Sequence, residues 1–212
     1  MSASELTLYV DSKFLSPYAM SAFVALHEKG LPFHLETLDL GAQENRAAGF
    51  AASSLTGRVP TLVHGDFTLS ESSAISEYLD EAFAGPGYAA LYPTERRARA
   101  RARQIQAWIR SDLMPVRRER PTEAVFLQPS DRPLSDEAQA SAEKLFLAAD
   151  SLIGDDAGPL FGAWSIADTD LALMLNRLVL NGDAVPRKLA AYANRQWQRP
   201  AVQLWVARAR AR

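Results

Sequence analysis

The sequence predicts a mixed α/β domain of order β-α-β-α-β-β-α over residues 1–84, then an all-α helical bundle domain over residues 95–212, with a linker at 85–94. Three observations carry this. Short runs of β-branched, aromatic and aliphatic residues occur only in the first part of the chain. Gly85-Pro86-Gly87 opens a break in composition that lasts to Pro93. Beyond it, apolar residues recur at helical spacing and strand-like runs disappear.

Leu6-Thr7-Leu8-Tyr9-Val10 reads as the first strand. Pro17 suits the first position of a helix over 17–29, because its missing N–H is not needed there, and Gly30 stops that helix. Residues 33–38 read as a second strand, which makes a right-handed βαβ unit with a parallel pair. Residues 41–57 read as a loop with one short helix. Residues 58–63 form a third strand, interrupted early by Pro60, and 67–69 a fourth. The turn His64-Gly65-Asp66 is too short for a crossover, so these two strands make an antiparallel hairpin. A helix over 72–83 closes the domain. In the second domain a helix over 95–113 is stopped by Pro115, and Ser135 caps another over 135–153. A third helix, over 168–180, is apolar nearly all round and belongs in the middle of a bundle. Shorter helices follow over 186–193 and 200–210.

The composition is that of a globular chain able to bury a core: 212 residues, 48% hydrophobic and 23% charged. A net charge of −2 gives no general reason to expect nucleic acid or an anionic membrane as partner. No apolar run reaches the roughly 18 residues of a membrane span. Met1-Ser2-Ala3-Ser4-Glu5 has neither the charged nor the apolar part of a secretory signal. The chain has no cysteine, which excludes disulfides, a Cys-x-x-Cys redox pair, thiolate zinc sites and a cysteine nucleophile. His27, His34 and His64 show no ligand spacing, so no metal is expected. Arg96, Arg97, Arg99, Arg101 and Arg103 scatter around their helix, which reads as a solvated or subunit-facing helix rather than a nucleic-acid stripe.

Three stretches can carry chemistry. In Asp11-Ser12-Lys13-Phe14-Leu15-Ser16-Pro17-Tyr18, Ser16 is the N-cap of the first helix. The free N–H groups and the dipole of that helix end favour an anion, to which a serine hydroxyl can donate; plain capping is the alternative. Pro60 inside an apparent strand is accommodated by a cis Val59–Pro60 bond, which leaves the main chain of Val59 able to pair with an extended peptide ligand. In Leu69-Ser70-Glu71-Ser72-Ser73-Ala74-Ile75, a serine-rich helix start suits a carboxylate and Glu71 an amino group, unless Ser70 or Ser72 merely caps.

Together these stretches resemble the glutathione transferase family. The resemblance includes Ala25-Leu26-His27-Glu28-Lys29-Gly30-Leu31-Pro32-Phe33, Gly57-Arg58-Val59-Pro60-Thr61-Leu62 and Glu71-Ser72-Ser73-Ala74-Ile75-Ser76-Glu77-Tyr78-Leu79. Past the linker it takes in Ser165-Ile166-Ala167-Asp168 and Trp197-Gln198-Arg199-Pro200-Ala201-Val202-Gln203. The spread of matches, through Ser111-Asp112-Leu113-Met114-Pro115 and Arg120-Pro121-Thr122, looks closest to a bacterial, serine-type branch. The resemblance implies a thioredoxin-like first domain and a cytoplasmic homodimer, with the residue 72–83 helix and the arginine-rich helix near the two-fold. It implies glutathione as co-substrate and no metal. Ser16 then bonds the glutathione sulfur, Val59 pairs with the cysteinyl main chain before cis Pro60, and Glu71 and Ser72 bind the γ-glutamyl end. Arg58 stands where many members carry a basic or amide side chain for the glycyl carboxylate; a simply solvated arginine is the alternative. The activity implied is conjugation of electrophiles or reduction of peroxides; the alternative is a non-catalytic binding or scaffold protein on the same fold. Members that form mixed disulfides use a cysteine near position 16, and this chain has none, so thiol-exchange activities are not expected.

Two further assignments concern the second domain. Ser165-x-x-Asp168 before an apolar run reads as a capping box rather than a catalytic acid. The second substrate is expected between the residue 12–15 loop and the helical domain, near Phe14 and Trp108, with Trp164 a further large side chain nearby. Core packing is the competing role for each aromatic.

Overall fold

The computed structural model describes residues 6–211. Residues 1–5, on which the secretory-signal reading falls, lie outside the described residues. The described residues form two compact units, 6–91 with 204–211 and 92–203.

The first unit is built on β1 (Leu6–Asp11). Leu6, Leu8 and Val10 alternate onto one face and are fully buried there. β1 pairs in parallel with β2 (His34–Leu38) and antiparallel with β3 (Thr61–His64), and β3 pairs antiparallel with β4 (Phe67–Ser70). The sheet order is β2-β1-β3-β4. Between β1 and β2 runs α1 (Pro17–Glu28), which buries every residue from Ala19 to Leu26. Its end is set by Gly30 at φ 67: the Gly30 N–H donates to His27 C=O and the Leu31 N–H to Leu26 C=O, a Schellman closure. A short 3-10 turn and α2 (Ala48–Ser53) fill the segment before β3. α3 (Ser72–Ala82) buries Ile75 and Leu79 and packs against α1.

Lys29 joins these elements. Its buried Nζ donates to Phe83 C=O (3.0 Å) and Ala89 C=O (2.8 Å) and stands 3.6 Å from Asp80 Oδ1. Asp80 in turn accepts from the Leu91 N–H. Burial pulls the Lys29 ammonium below its usual range, with Asp80 acting in the opposite direction. Lys29→Met keeps the length of the side chain and strands two carbonyls and a carboxylate. We expect a loss of about 2 kcal/mol, read as a fall in Tm of about 4–8 °C. An unchanged Tm would show that water replaces the ammonium without cost.

Residues 204–211 complete this unit. Trp205, fully buried, meets Phe14 and Phe23 edge to face at centroid distances of 5.1 and 5.3 Å. Arg208 caps the Phe23 ring at 5.1 Å.

The second unit is helical: α4 (Arg96–Ser111), α5 (Met114–Glu119), α6 (Thr122–Phe126), α7 (Asp136–Leu152), α8 (Ile166–Val179), α9 (Arg187–Trp197) and the start of α10 (Pro200–Arg210). α8 is buried from Ile166 to Leu178 except at Asp170, as its all-round apolarity requires. Glu95 caps α4 by accepting from the Arg97 and Ala98 N–H groups, and Ser135 caps α7. Pro115 does not end the long helix. α4 stops at Ser111, Leu113 turns the chain at φ 63, and Pro115 sits in the first turn of α5, where no N–H is needed. Arg96, Arg97, Arg101 and Arg103 are exposed, and Arg99 lies over the Tyr92 ring at 5.0 Å.

Candidate functional site

Strand register brings the candidate segments of the first unit to one end of its sheet. Tyr9 lies opposite Thr61, and Thr61 opposite Ser70. The chain leaving β1 toward Ser16, the chain entering β3 through Val59–Pro60 and the chain leaving β4 toward Glu71 and Ser72 therefore meet the sheet at the same end.

Ser16 is the N-cap of α1, and its Oγ accepts from the Ala19 N–H at 3.2 Å. A hydroxyl that accepts still holds its own proton to donate. The loop before it is held by Asp11, a residue the sequence reading passed over. Asp11 Oδ2 accepts from the Leu15 N–H (2.6 Å) and Oδ1 from the Ser16 N–H (3.0 Å). The Leu15 and Ser16 amides are thus committed to Asp11 and the Ala19 amide to Ser16 Oγ. The signal in the sequence was a carboxylate at the strand end, four and five residues ahead of the amides it binds.

Val59–Pro60 is cis. Val59 stands outside the ladder and makes no main-chain hydrogen bond to another described residue. Arg58 is exposed, and its C=O accepts from Thr61 Oγ1 at 2.9 Å. Glu71 sits at φ 73, ψ 115 immediately before α3. A non-glycine residue in that region costs of order 1–3 kcal/mol and marks sites where geometry is held for a purpose. Ser72 is buried and opens α3, and its C=O accepts from Ser76 Oγ. Ser70 does not cap α3; its hydroxyl turns inward to Ser54 and Thr61.

Of the aromatic candidates, Phe14 lies in the loop between β1 and α1, and Trp108 and Trp164 belong to the helical unit. Phe14 takes the left-handed conformation (φ 56) and is 3% exposed, with its ring edge to face with Trp205 at 5.1 Å. Trp108 belongs to the helical unit, half-buried on α4. Its indole N–H donates to Asp112 Oδ2 at 2.9 Å. Lys144, then the Leu113 N–H and this indole hold the Asp112 carboxyl down to about 2. Trp164 carries Arg199 over its ring at 4.5 Å. Asp168 forms the capping box with Ser165. Its Oδ2 accepts from the Ser165 N–H and hydroxyl, and its Oδ1 from the Leu160 N–H and Tyr192 O–H. Among the described residues no three His, Asp or Glu side chains converge to hold a metal ion, and no helix is long and apolar enough to cross a membrane.

Known proteins share this architecture. A glutathione S-transferase N-terminal domain model matches residues 15–82, and a C-terminal domain model matches residues 95–211. A glutathione transferase homologue from Burkholderia, solved with bound glutathione, is 52% identical, covers 99% of this chain and 100% of its own, and superposes with a TM-score of 0.81. Apo human glutathione S-transferase T1-1 is 26% identical, with a TM-score of 0.66 over 96% of this chain and 87% of that one. Human glutathione S-transferase theta-2 is 33% identical over 103 residues, which is 49% of this chain and 41% of that protein. The chain thus spans under half the length of the human theta relatives that it matches. With both halves of the chain matched, a mixed four-stranded sheet in the first unit and a helical second one, the chain belongs to the glutathione S-transferase family.

Proposed function

We propose that this protein is a glutathione transferase that activates the glutathione thiol with the Ser16 hydroxyl. The observation that carries it is the convergence of Ser16, Val59–Pro60 and Glu71-Ser72 on one end of the sheet, in a chain 52% identical to a relative solved with glutathione bound. In this reading the main chain of Val59 pairs with the cysteinyl residue of glutathione. Glu71 and Ser72 take the γ-glutamyl amino acid end, and Arg58 the glycyl carboxylate.

A free thiol has a pKa of about 8.5, and the thiolate is the nucleophile. Asp11 occupies the Leu15 and Ser16 amides, and the Ser16 O–H, whose oxygen accepts from Ala19, still has its proton to donate to a sulfur anion. The thiolate then attacks an electrophilic carbon, forming a C–S bond and expelling the leaving group. With a peroxide it attacks one oxygen, forming an S–O bond as the O–O bond breaks and releasing the alcohol; the resulting glutathione sulfenic acid condenses with a second glutathione to give glutathione disulfide and water. The second substrate is read as a small electrophile or peroxide.

Glutathione binding by calorimetry is the first test, followed by conjugation of a chlorodinitrobenzene-type electrophile and reduction of an organic peroxide. Saturable binding with either turnover supports the reading. Binding without turnover favours a scaffold, and no binding overturns glutathione as ligand. The protein is further read as a homodimer: light scattering should give about twice the 23.3 kDa chain mass, and a mass near 23.3 kDa contradicts it.

A further inference from the structure

We infer that a buried triangle of hydroxyls, Ser54, Thr61 and Ser70, is the positioning element that sets the spacing between the Val59–Pro60 main chain and the Glu71-Ser72 helix start, and with it the affinity for glutathione. This inference rests on the glutathione reading above.

The three oxygens come from three separate elements. Ser54 follows α2, Thr61 opens β3 and Ser70 closes β4. Ser54 Oγ lies 2.9 Å from Thr61 Oγ1 and 3.0 Å from Ser70 Oγ, and the third side is 3.2 Å. All three residues are buried, with exposures of 5%, 0% and 6%. Thr61 commits its proton to the Arg58 C=O, so the protons of Ser54 and Ser70 serve the triangle. Each hydroxyl thus has a protein partner, and removing one leaves the others short in a buried site.

Position in the chain gives the triangle its role. Thr61 follows Pro60, and Ser70 precedes Glu71, so two corners each adjoin a proposed binding segment. The third corner anchors the same loop from its other end: the Gly57 N–H donates to Ser54 C=O, and Asn45 Nδ2 donates to Gly57 C=O at 2.7 Å. The loop main chain is therefore fixed at 54, 57, 58 and 61, leaving Val59 outside the ladder. On the other side the triangle holds the strand end from which Glu71 departs at φ 73. A ligand that touches both segments is sensitive to their separation at the level of about 0.5 Å. None of the three hydroxyls is assigned a contact with glutathione, so they act through Val59 and Glu71.

Thr61→Val removes the hydroxyl at nearly constant shape, and Thr61→Ser keeps it while removing the methyl. We expect Thr61→Val to weaken glutathione binding about tenfold by calorimetry, equivalent to about 1.4 kcal/mol. The glutathione KM should rise in step while kcat at saturating glutathione stays within about twofold. Thr61→Ser should restore affinity to within about twofold of the parent. Ser70→Ala and Ser54→Ala should repeat the affinity loss, and they carry the test if Thr61→Val does not fold. Unchanged affinity in folded hydroxyl-free variants overturns the proposal. So does a Thr61→Ser protein as weak as Thr61→Val, which would assign the effect to packing. If the parent itself binds no glutathione, the functional reading fails and this inference with it. If Thr61→Val weakens binding while Ser16→Ala leaves the rate intact, the triangle stands and only the thiolate role of Ser16 falls.

Discussion

Replacing Ser16 with alanine is expected to lower glutathione conjugation at neutral pH by about 10- to 100-fold, the cost of a hydrogen bond to a charged partner worth roughly 1.5–3 kcal/mol. The geometry makes the expectation sharp. Around the start of α1, the Leu15 and Ser16 amides are held by the Asp11 carboxylate and the Ala19 amide by Ser16 Oγ. A carboxylate beside the helix end also offsets the positive pole of the dipole, which by itself is worth only about 0.3–1 kcal/mol. In the proposed mechanism the Ser16 proton is the group that holds sulfur as thiolate. Its loss should move the apparent pKa of kcat/KM upward by about one to two pH units, so raising the pH should recover much of the lost rate. Glutathione affinity should change far less, because Val59, Glu71 and Ser72 are untouched. The same substitution removes an N-cap and should lower stability by about 1 kcal/mol. An unchanged rate and an unchanged pH profile would assign thiol activation to another group.

The parts of this fold legible in the sequence are those with local causes. β1, α1 and the β3–β4 hairpin are announced by short β-rich runs, by Pro17 and Gly30 and by His64-Gly65-Asp66, and they stand within a few residues of expectation. The helix of 166–179 was legible from its all-round apolarity. Pro115 misled because a proline inside a helical pattern signals a stop, while the same ring is equally at home in the first turn of a new helix. The five-residue α6 was not visible, since a single turn shows no periodicity. That residues 204–211 group with the first unit was not legible either: helical spacing gives the buried face of α10, not the core it enters.

The candidate site divides in the same way. Ser16, Pro60, Glu71 and Ser72 stand at element ends, where serine and proline are conspicuous. That these ends share one side of the sheet follows from register, which local sequence does not determine. Asp11 was missed because a carboxylate after a strand looks like any polar loop entry until its amide partners are seen. The hydroxyl triangle was missed because its corners, at 54, 61 and 70, are ordinary surface residue types that only the β3–β4 register and the end of α2 bring together. For Phe14, read either as a neighbour of the second substrate or as core, the structure shows its ring packed on Trp205.

Asp168→Ala is expected to be the most destabilising single change considered, costing about 3 kcal/mol and lowering Tm by about 6–12 °C. The carboxylate is fully buried and accepts from four donors: the Leu160 N–H (2.8 Å), the Ser165 N–H (2.8 Å), the Ser165 hydroxyl (3.0 Å) and the Tyr192 hydroxyl (2.9 Å). Alanine strands these donors, and Tyr192 is fully buried with only a long 3.5 Å contact to the Asp168 C=O in reserve. The loss is smaller than four separate bonds would imply, because a buried carboxylate is itself costly. Burial pushes the Asp168 carboxyl above its usual range, although all four hydrogen bonds favour the charged form. Its folded form therefore binds a proton more tightly than the unfolded chain does. Taken alone, the group withdraws stability as pH rises from the ordinary carboxylate range through that raised value. Asp168→Asn removes the charge and keeps one acceptor, so it should fall between the parent and Asp168→Ala. Every partner of Asp168 named here, at 160, 165 and 192, belongs to the helical unit, so glutathione affinity should stay within about twofold for both variants at a temperature where they are folded. A large loss of affinity with an unchanged Tm would instead place Asp168 in the binding machinery.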